Sequence, residues 1–594
     1  LENNIVQTAA SAGESLAAGI IFTVPALVLI GTWAGFHYWE TTMIAAFGGL
    51  LGVLFTIPLR RALIVEEPLR FPEGVATAEV LKVGDRGGSE VRFLAWAAVI
   101  GALFKFGNTG LRLWAEAVEK ARYIGGSIGY VGTNVSPALV GVGYIVGLHI
   151  AILIFLGGAI NWYVAIPIVA WLQGVPPDAA DAVTAANRIW SAQTRFLGVG
   201  AMVVGGLWAL IRMRGSLFTG IRSGMDAYRR MRRGEVLTLD RTERDTPMQW
   251  VALAVVLSVI PLFFIFEYFT HDVGVSALMA VLMLVAAFLF SAVSSYMAGL
   301  VGSSNNPISG MTIATILTAS LLLLALLGSG SAIGPASAIF IGAVVASAAA
   351  IGGDNMQDLK AGRIVGATPY KQQIMQGVGV IAAAFVLAPV LTLILKAYGI
   401  GVPTAEHPQP LTAPQATLMA SVAEGVFGGH LPWTMVILGM LVAVAIIAFD
   451  VYQERRGAEF RTPVLAVAVG IYLPLELSVA IFIGGLIAWA ASRFRARVAA
   501  RAPREVVPRL QEAGSAGERH GLLFAAGLIT GEALVGIAMA IPIVWAKDRD
   551  VAAFWGVHEA EIPGLALLAL VIFFLYRVTT AETRKLQAGG GSAR

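Results

Sequence analysis

The chain contains no cysteine and few charges for its length. Of its 594 residues, 13% are Asp, Glu, Lys or Arg and 57% are hydrophobic, whereas a soluble domain carries about 25% charged residues. None of these four residue types occurs from Gly274 to Gly353. The absence of cysteine excludes disulfides, thiolate metal sites and thiol nucleophiles. The shortage of charge excludes an ordinary soluble domain.

Other absences narrow the function. No GxxxxGK[ST] loop is present, which argues against a primary ATP-driven pump. The seven histidines are scattered, without an HExxH motif, so we expect no metal site and no cofactor, with protons as the coupling ion. The net charge of +4 comes from basic residues in short loops beside apolar segments, where they set membrane orientation. We therefore expect no nucleic-acid partner.

Long apolar segments fill most of the chain. Windows of roughly 20 apolar residues predict an all-α polytopic membrane protein with about 14 to 16 transmembrane helices. The apolar runs 137–172 and 463–491 are each long enough for two spans, which indicates broken or re-entrant helices. Alternating β-barrel patterns are absent. The bilayer is thus a predicted partner, and a homodimer is left open.

Charge in the loops indicates orientation. Residues 212–233 hold seven arginines and one acid, and residues 493–509 hold six arginines and one acid. By the positive-inside rule both loops lie in the cytoplasm. We expect a bacterial inner-membrane protein with both termini cytoplasmic.

An internal repeat is visible in the sequence. Residues 141–162 align without gaps to 468–489, which matches Gly143 with Gly470 and Phe155 with Phe482. The loops after the matched blocks carry opposite charge, which favours an inverted repeat; a weaker match of 78–84 with 356–362 favours equal sidedness. The predicted division is an N-terminal repeat (1–246, with a basic loop at 212–246), connecting helices (247–302), a C-terminal repeat (303–578) and a cytoplasmic tail (579–594).

The segment "NNPISGMT" (305–312) interrupts the most apolar region. Within a bilayer, a proline after two asparagines is tolerated where the freed backbone groups face a cavity or other protein. Asn305, Asn306 and Ser309 could then bind a polar substrate beside a helix N-terminus near Pro307. The alternative is a surface turn in which Asn306 caps a helix.

Ionisable residues in apolar surroundings need a reason, because each costs at least about 2.5–3.5 kcal/mol at the membrane centre. His149 and Glu476 occupy equivalent repeat positions, and Glu532 lies in "GLITGEALVG". These three are candidate proton-coupling residues; the alternative is a structural interhelical hydrogen bond. "GGDNMQDLKAG" (352–362) predicts a turn at a cavity mouth, or else a solvated loop. "RFPEGVATAEVLKVG" (70–84) predicts a second such segment, or an interfacial amphipathic helix.

Five blocks follow one another from Phe71 to Ile537: "FPEGVATAEVLKVG", "GLVGSSNNPISGMTIATIL", "GGDNMQDLKAGRIVGATPYKQQ", "GIYLPLELSVAIFIGGLI" and "GLITGEALVGI". Together they resemble the oligopeptide transporter family, in the prokaryotic branch related to yellow-stripe-like metal-chelate transporters. The resemblance implies about 16 transmembrane helices and proton-driven uptake of short peptides or of metal chelates such as nicotianamine or siderophore complexes. The NPG and KIPPR motifs of the eukaryotic peptide-transporting branch are not matched, since Ile308 follows Pro307 and KIPPR is absent.

The prediction is a proton-coupled secondary importer of small oligopeptides or peptide-like metal chelates that works by alternating access. The predicted substrate-binding residues are Asn305, Asn306, Pro307, Ser309, Asp354, Asn355, Asp358, Lys360, Tyr472 and Glu73. The predicted gating residues are Gln372, Gln373 and Lys82. One rival is a gated channel for small polar solutes. Another is an intramembrane enzyme, which would need a nucleophile and base such as a serine with His149; we expect no enzyme.

Overall fold

A computed structural model of the protein describes residues 1–66, 69–71, 73–75, 77, 78, 81, 91–176, 179–212, 240–301, 303, 306, 308–401, 404, 407, 410–428, 432–558 and 560–589. The chain folds into two compact units that are interleaved in sequence. The first comprises Leu1–Gly87, Val203–Leu395 and Gly399–Leu431, and the second Gly88–Met202, Lys396–Tyr398 and Pro432–Arg594. The linear division into repeats stays a prediction.

The described segments are almost entirely helical. In chain order the elements are α1 (Glu2–Ile21), α2 (Pro25–Leu29), α3 (Tyr38–Arg60), α4 (Val91–Lys105), β1 (Ala117–Ile124), β2 (Ser127–Asn134), α5 (Pro137–Ala159), α6 (Ile166–Gln173), α7 (Ala182–Ile189), α8 (Arg195–Arg212), α9 (Met248–Thr270), α10 (Val273–Val301), α11 (Ile308–Leu327), α12 (Gly334–Val365), α13 (Pro369–Tyr398), α14 (Pro414–Phe427), α15 (Trp433–Arg455), α16 (Val464–Tyr472), α17 (Leu475–Arg501), α18 (Val507–Ala546) and α19 (Glu561–Gly589). Four π-helical turns, Arg61–Glu66, Phe106–Gly110, Ile160–Ala165 and Trp190–Thr194, continue α3, α4, α5 and α7.

The predicted all-α polytopic membrane architecture is confirmed. Thirteen helices within the described ranges are long and apolar enough to cross a membrane, the run Pro137–Gln173 being counted as one of them. Helices suit this environment because they satisfy their backbone hydrogen bonds within the segment.

Helix α12 forms the core of the first unit. Its most apolar window is completely buried, and it packs against α1, α3, α10 and α11. Small residues allow the close approach: a Cβ on Gly19 would lie 2.6 Å from the Cα of Ser347, and one on Gly52 would lie 2.8 Å from the carbonyl oxygen of Ala348. Such packing replaces the hydrophobic driving force that is missing between helices in lipid.

The turn predicted at 352–362 is wrong. Helix α12 continues through this block to Val365 and ends at Gly366 with φ of 78°. The chain does not need to leave the helix at the polar residues, because neighbouring segments of the first unit supply hydrogen-bond partners for most of their side chains.

The two long apolar runs are broken at equivalent positions. Helix α5 contains Gly147 with φ of 80° and ψ of 166°, a conformation that glycine adopts without a Cβ penalty. Helix α16 ends at Tyr472 and α17 begins at Leu475, with Pro474 between them. The repeat offset of 327 residues, which relates Gly143 to Gly470, also relates Gly147 to Pro474.

The repeated segments pack against each other reciprocally within the second unit. A Cβ on Gly484 would lie 2.1 Å from the carbonyl oxygen of Val140 and 2.9 Å from the Cα of Gly143. At the other end of α5, a Cβ on Gly157 would lie 2.9 Å from the carbonyl carbon of Gly470. Gly143 and Gly157 are the repeat equivalents of Gly470 and Gly484. The contacts are crossed, because Gly143 faces Gly484 and Gly157 faces Gly470.

This pattern requires an antiparallel, two-fold arrangement. As α5 runs from Gly143 to Gly157, its partner runs from Gly484 back to Gly470. The rings of Phe155 and Phe482, which are repeat equivalents, stack with centroids 4.9 Å apart, as expected beside a two-fold axis. An axis perpendicular to membrane-spanning helices lies in the membrane plane, so the repeat is inverted in topology.

A β-hairpin follows α4 and was not predicted from the sequence. Strands β1 and β2 pair antiparallel, with Ile124 opposite Ser127. The two-residue loop Gly125–Gly126 has φ of 55° and 84°, as glycine pairs in tight hairpins do. Ile128 and Tyr130 of β2 are buried in a core with Trp162 of the π-helical turn after α5. The Gly-Gly pair, which lies between β-branched and aromatic residues, was the sequence signal that could have indicated this hairpin.

Candidate functional site

Two carboxylates of the first unit lie beside serine hydroxyls at α12. Asp354 accepts a hydrogen bond from the Ser15 hydroxyl of α1. Glu73 accepts from the Ser303 amide at 3.0 Å and also from the Ser303 hydroxyl. Asp354 and Glu73 interact electrostatically, and both are partly exposed. We call Glu73, Ser303, Asp354 and Ser15 the carboxylate site; it brings together two predicted substrate-binding residues.

Asn306 contacts α12 next to the carboxylate site. Its Nδ2 donates to the hydroxyl of Ser294 at 2.5 Å, and a Cβ on Gly353 would lie 2.6 Å from the same nitrogen. The Asn306 Oδ1 is buried and has no hydrogen-bond partner among the described residues. Helix α11 begins two residues later, so Ser309 lies in a first turn whose free N–H groups carry partial positive charge.

Asp358 belongs to a separate polar group between α1, α12 and α13. Its Oδ1 accepts from Gln7 Nε2 at 2.6 Å. Gln372 Nε2 donates to the Thr8 hydroxyl at 3.1 Å and to the Asp358 carbonyl oxygen at 3.0 Å. Asn355 is fully buried, and within the described ranges neither of its amide atoms has a partner. Gln372, a predicted gating residue, is therefore part of a buried network.

Lys360 and Gln373 have partners of their own. Lys360 Nζ donates to the Leu69 carbonyl oxygen at 3.0 Å and lies 5.9 Å from the ring centroid of Phe71. Gln373 Nε2 donates to Asp245 Oδ1 at 2.6 Å. The predicted roles of Lys360 in binding and of Gln373 in gating stay predictions.

In the second unit, both helix breaks are followed by an ionisable residue. His149 lies two residues beyond Gly147, and its Nε2 is 2.5 Å from the Arg461 carbonyl oxygen. Glu476 lies two residues beyond Pro474, in the first turn of α17. Tyr130 Oη is 3.1 Å from Glu476 Oε2. Equivalent breaks thus place a titratable group at the start of each second half-helix.

Tyr130 also joins Glu476 to the hairpin. Its hydroxyl is 2.5 Å from Glu119 Oε1 on β1. Its ring packs against Trp162 at an interplanar angle of 38°, with centroids 4.3 Å apart, and 2% of Tyr130 is exposed. Burial, followed by the charges of Glu476 and Glu119, raises the pKa of the phenol far above its ordinary value. Tyr130 therefore keeps its proton at any physiological pH.

Glu532 caps a helix. Its carboxylate accepts from the Ser136 hydroxyl at 2.8 Å and from the Ala138 amide at 2.9 Å, at the N-terminus of α5. Two donors and the positive helix end favour the ionised carboxylate. This geometry has the form of the alternative considered for Glu532, a structural hydrogen bond between helices. The role of Glu532 in proton coupling stays a prediction.

The broken helix in the second repeat leaves carbonyl groups that other side chains satisfy. Asn161 Nδ2 donates to the Ile471 carbonyl oxygen at 2.6 Å, and Trp190 Nε1 donates to that of Tyr472 at 3.1 Å. The Tyr472 side chain is buried against Gly198. Interrupted backbone in a membrane protein requires such internal partners, and Tyr472 thereby has a structural contact whether or not it binds substrate.

Three predicted site residues, Asn305, Pro307 and Lys82, lie outside the described residues. Sequence reasoning missed Ser15, Ser303, Tyr130 and Glu119. Alternation along β1 and β2 would have placed Glu119 and Tyr130 on strands, but nothing in the sequence indicated that the hairpin packs on α17. Among the described residues, no group of three or more histidine and acidic side chains is arranged to hold a metal ion.

Comparison with known proteins agrees with this architecture. The family model described as "OPT oligopeptide transporter protein" matches residues 1–543. A protein of Haemophilus influenzae named "Putative oligopeptide transporter" is 34% identical over 569 residues, which cover 91% of this chain and 87% of that protein. Similarity of this extent over an all-helical membrane protein identifies the chain as a member of the OPT oligopeptide transporter family.

Proposed function

We propose that the protein is a proton-coupled secondary importer of small oligopeptides or peptide-like metal chelates. One observation carries the proposal: an inverted repeat whose helices are broken at equivalent positions, each break being followed by His149 or Glu476. Inverted repeats with discontinuous helices are a common plan of secondary transporters, where the breaks supply substrate and ion sites near the bilayer midplane. Alternating access would move one repeat segment against the other.

The carboxylate site suits the amino end of a zwitterionic cargo. Glu73 and Asp354 provide negative charge at a partly exposed place on α12. The start of α11, with Asn306 and Ser309, provides backbone N–H groups that favour a carboxylate. The unpartnered Asn306 Oδ1 adds an acceptor for a peptide N–H. The name of the Haemophilus relative supports a peptide as cargo.

Orientation follows from the loops. Arginine-rich residues 212–233 and 493–509 would lie in the cytoplasm, with both termini on the same side of a bacterial inner membrane. The imposed proton gradient in a transport assay should then drive cargo toward the side that carries these loops.

Uptake into proteoliposomes tests the proposal. Labelled tri-alanine and a zinc–nicotianamine chelate are supplied in parallel with an inward proton gradient. We expect at least one to accumulate above its external concentration, and a protonophore should abolish the accumulation. Rapid equilibration without accumulation would instead establish a gated channel, and no entry of either cargo would overturn the proposal.

The variant Asp354→Asn tests the carboxylate site. Losing one charged partner of the cargo amino group should cost about 1.5–3 kcal/mol of binding, or about 10- to 150-fold in apparent affinity. The matched control is Asp240→Asn in the same unit, because Asp240 is exposed and its carboxylate accepts, within the described part of the chain, from the neighbouring Arg241 amide. Equal transport affinity in the two variants would remove Asp354 from the site.

A further inference from the structure

A single phenol oxygen lies between two carboxylates in the second unit. Tyr130 Oη is 2.5 Å from Glu119 Oε1 and 3.1 Å from Glu476 Oε2. The three residues come from β1, β2 and α17. Gly132, on β2, makes room for the phenol, since a Cβ there would lie 2.9 Å from Tyr130 Oη. The arrangement therefore depends on the hairpin lying against the start of α17.

Two hydrogen bonds between this phenol oxygen and two carboxyl groups need one more proton than the phenol carries. A tyrosine hydroxyl carries one hydrogen and can donate it to one carboxylate only. The other carboxylate is within hydrogen-bond distance of the same oxygen, and an ionised carboxylate only accepts. The second contact becomes a hydrogen bond when that carboxyl group is itself protonated and donates to the phenol oxygen.

The surroundings favour retention of this proton. In the part of the chain that the structure describes, the charged groups that interact with the Tyr130 phenol are Glu119 and Glu476. Lys120, the next residue of β1, forms an ion pair with Glu561 at 3.1 Å and is exposed. On α7, which packs on the hairpin, Asp181 caps its own helix at the Thr184 amide, and Arg188 is exposed and has an interaction of its own.

Two carboxylates without a nearby cation repel each other when both are ionised. This repulsion is strong where water is excluded, and such pairs bind one proton between them. The adjacent Trp162 ring and the burial of Tyr130 exclude water from the phenol. Loss of the shared proton would leave two ionised carboxylates beside a single hydroxyl, and their repulsion would favour separation of the hairpin from α17.

We propose that Glu119, Tyr130 and Glu476 form the binding site for the coupling proton, with the additional proton shared between the two carboxyl groups. That the site binds a proton rests on the geometry alone. That this proton drives transport rests on the proposed function. Glu476 starts the half-helix after the Pro474 break, so proton release acts directly on the broken helix. Glu119 and Tyr130 are new members of this site.

Infrared spectroscopy of the purified full-length protein in detergent tests the site without any cargo. At about pH 7, free glutamic acid side chains are ionised, so the part of the protonated-carboxyl signal that a substitution at this site removes identifies the shared proton. We expect this signal in the unsubstituted protein and its loss in Glu476→Gln and in Glu119→Gln, because each variant leaves one carboxylate for the one phenol proton. Tyr130→Phe should shift the signal, since the hydrogen bond to the phenol is removed.

Glu582→Gln on α19 is the matched control, because Glu582 is bonded to Lys585 Nζ at 2.8 Å and takes no part in the hairpin contact. It should leave the signal unchanged. Absence of the signal from the unsubstituted protein, its persistence in Glu119→Gln, or its equal loss in Glu582→Gln would overturn the proposal. If Glu476→Gln does not fold, Glu119→Gln and Tyr130→Phe, both on the hairpin, decide the question.

The transport assay separates the two proposals. In tri-alanine or zinc–nicotianamine uptake, Glu476→Gln and Glu119→Gln should lose proton-driven accumulation, and Glu582→Gln should keep it. A carboxyl signal without accumulation of either cargo by the unsubstituted protein would sink the proposed function and leave the proton site standing. Proton-driven accumulation without the signal would sink the proton site and leave the function standing.

Discussion

Replacing Gly143 with alanine tests the backbone-to-backbone packing of the inverted repeat. The new Cβ would lie 1.9 Å from the Ile481 carbonyl oxygen, whereas ordinary contact begins at 3.4 Å. The two helices must therefore separate by about 1.5 Å, or bend by a similar amount, to accept one methyl group. The opposed atom belongs to the backbone of α17, which cannot rotate away as a side chain could.

The expected cost can be set against the gain in helix propensity. Overpacking costs typically about 1–3 kcal/mol, and a clash with backbone belongs at the upper end of that range. Alanine recovers about 1 kcal/mol of helix propensity relative to glycine. We therefore expect Gly143→Ala to lower the free energy of unfolding by about 2 kcal/mol.

Thermal unfolding of the purified protein in detergent, followed by the fraction that remains monodisperse after heating, gives the measurement. The control is Gly536→Ala on α18, where the nearest atom to the new Cβ is Lys105 Cε at 3.9 Å; it should be as stable as the unsubstituted protein or slightly more so. Gly484→Ala places a methyl group on the other side of the same helix contact. The double variant with Gly143→Ala should therefore lose less stability than the sum of the two single losses. If Gly143→Ala matches Gly536→Ala in stability, or if the double variant is additive, the reciprocal packing is refuted.

Two further predictions concern charges outside the repeat contact. Burial raises the pKa of Glu116, but Lys105, followed by other partners, outweighs it and holds the pKa below its usual value of 4.5; the resulting stability is present above that value and lost as the pH falls through the depressed pKa. Glu116→Gln should therefore lower the unfolding midpoint at neutral pH, and the difference from the unsubstituted protein should shrink as the pH falls through the depressed pKa; an unchanged midpoint at neutral pH would contradict this account. Arg60, 1% exposed, forms a two-point ion pair with Asp245 at 2.5 and 2.7 Å. Arg60→Met leaves the carboxylate without this partner and should cost about 3–5 kcal/mol, measured in the same thermal assay, whereas simultaneous Asp245→Asn should recover part of the loss; a double variant less stable than Arg60→Met would refute the pairing.

Several features of the fold could be predicted from sequence. Membrane spans follow from hydropathy because a helix that crosses a bilayer must be apolar along its whole length. The apolar runs at 137–172 and 463–491 indicated broken helices, and the breaks lie at Gly147 and between Tyr472 and Leu475. Loop charge favoured an inverted repeat, and the reciprocal glycine contacts have that geometry.

The sequence by itself determined the class of protein, the repeat and the unusual polar residues, since composition and local pattern are properties of single segments. The tertiary structure alone decided which polar groups meet. It showed that α12 runs straight through "GGDNMQDLKAG", because neighbouring segments satisfy much of its polar face, and that Glu532 caps α5. Tyr130 and Glu476 are far apart in sequence, and no local pattern records which hairpin packs against which helix. Hydrogen bonds of this kind depend on long-range packing, so they become visible only in three dimensions.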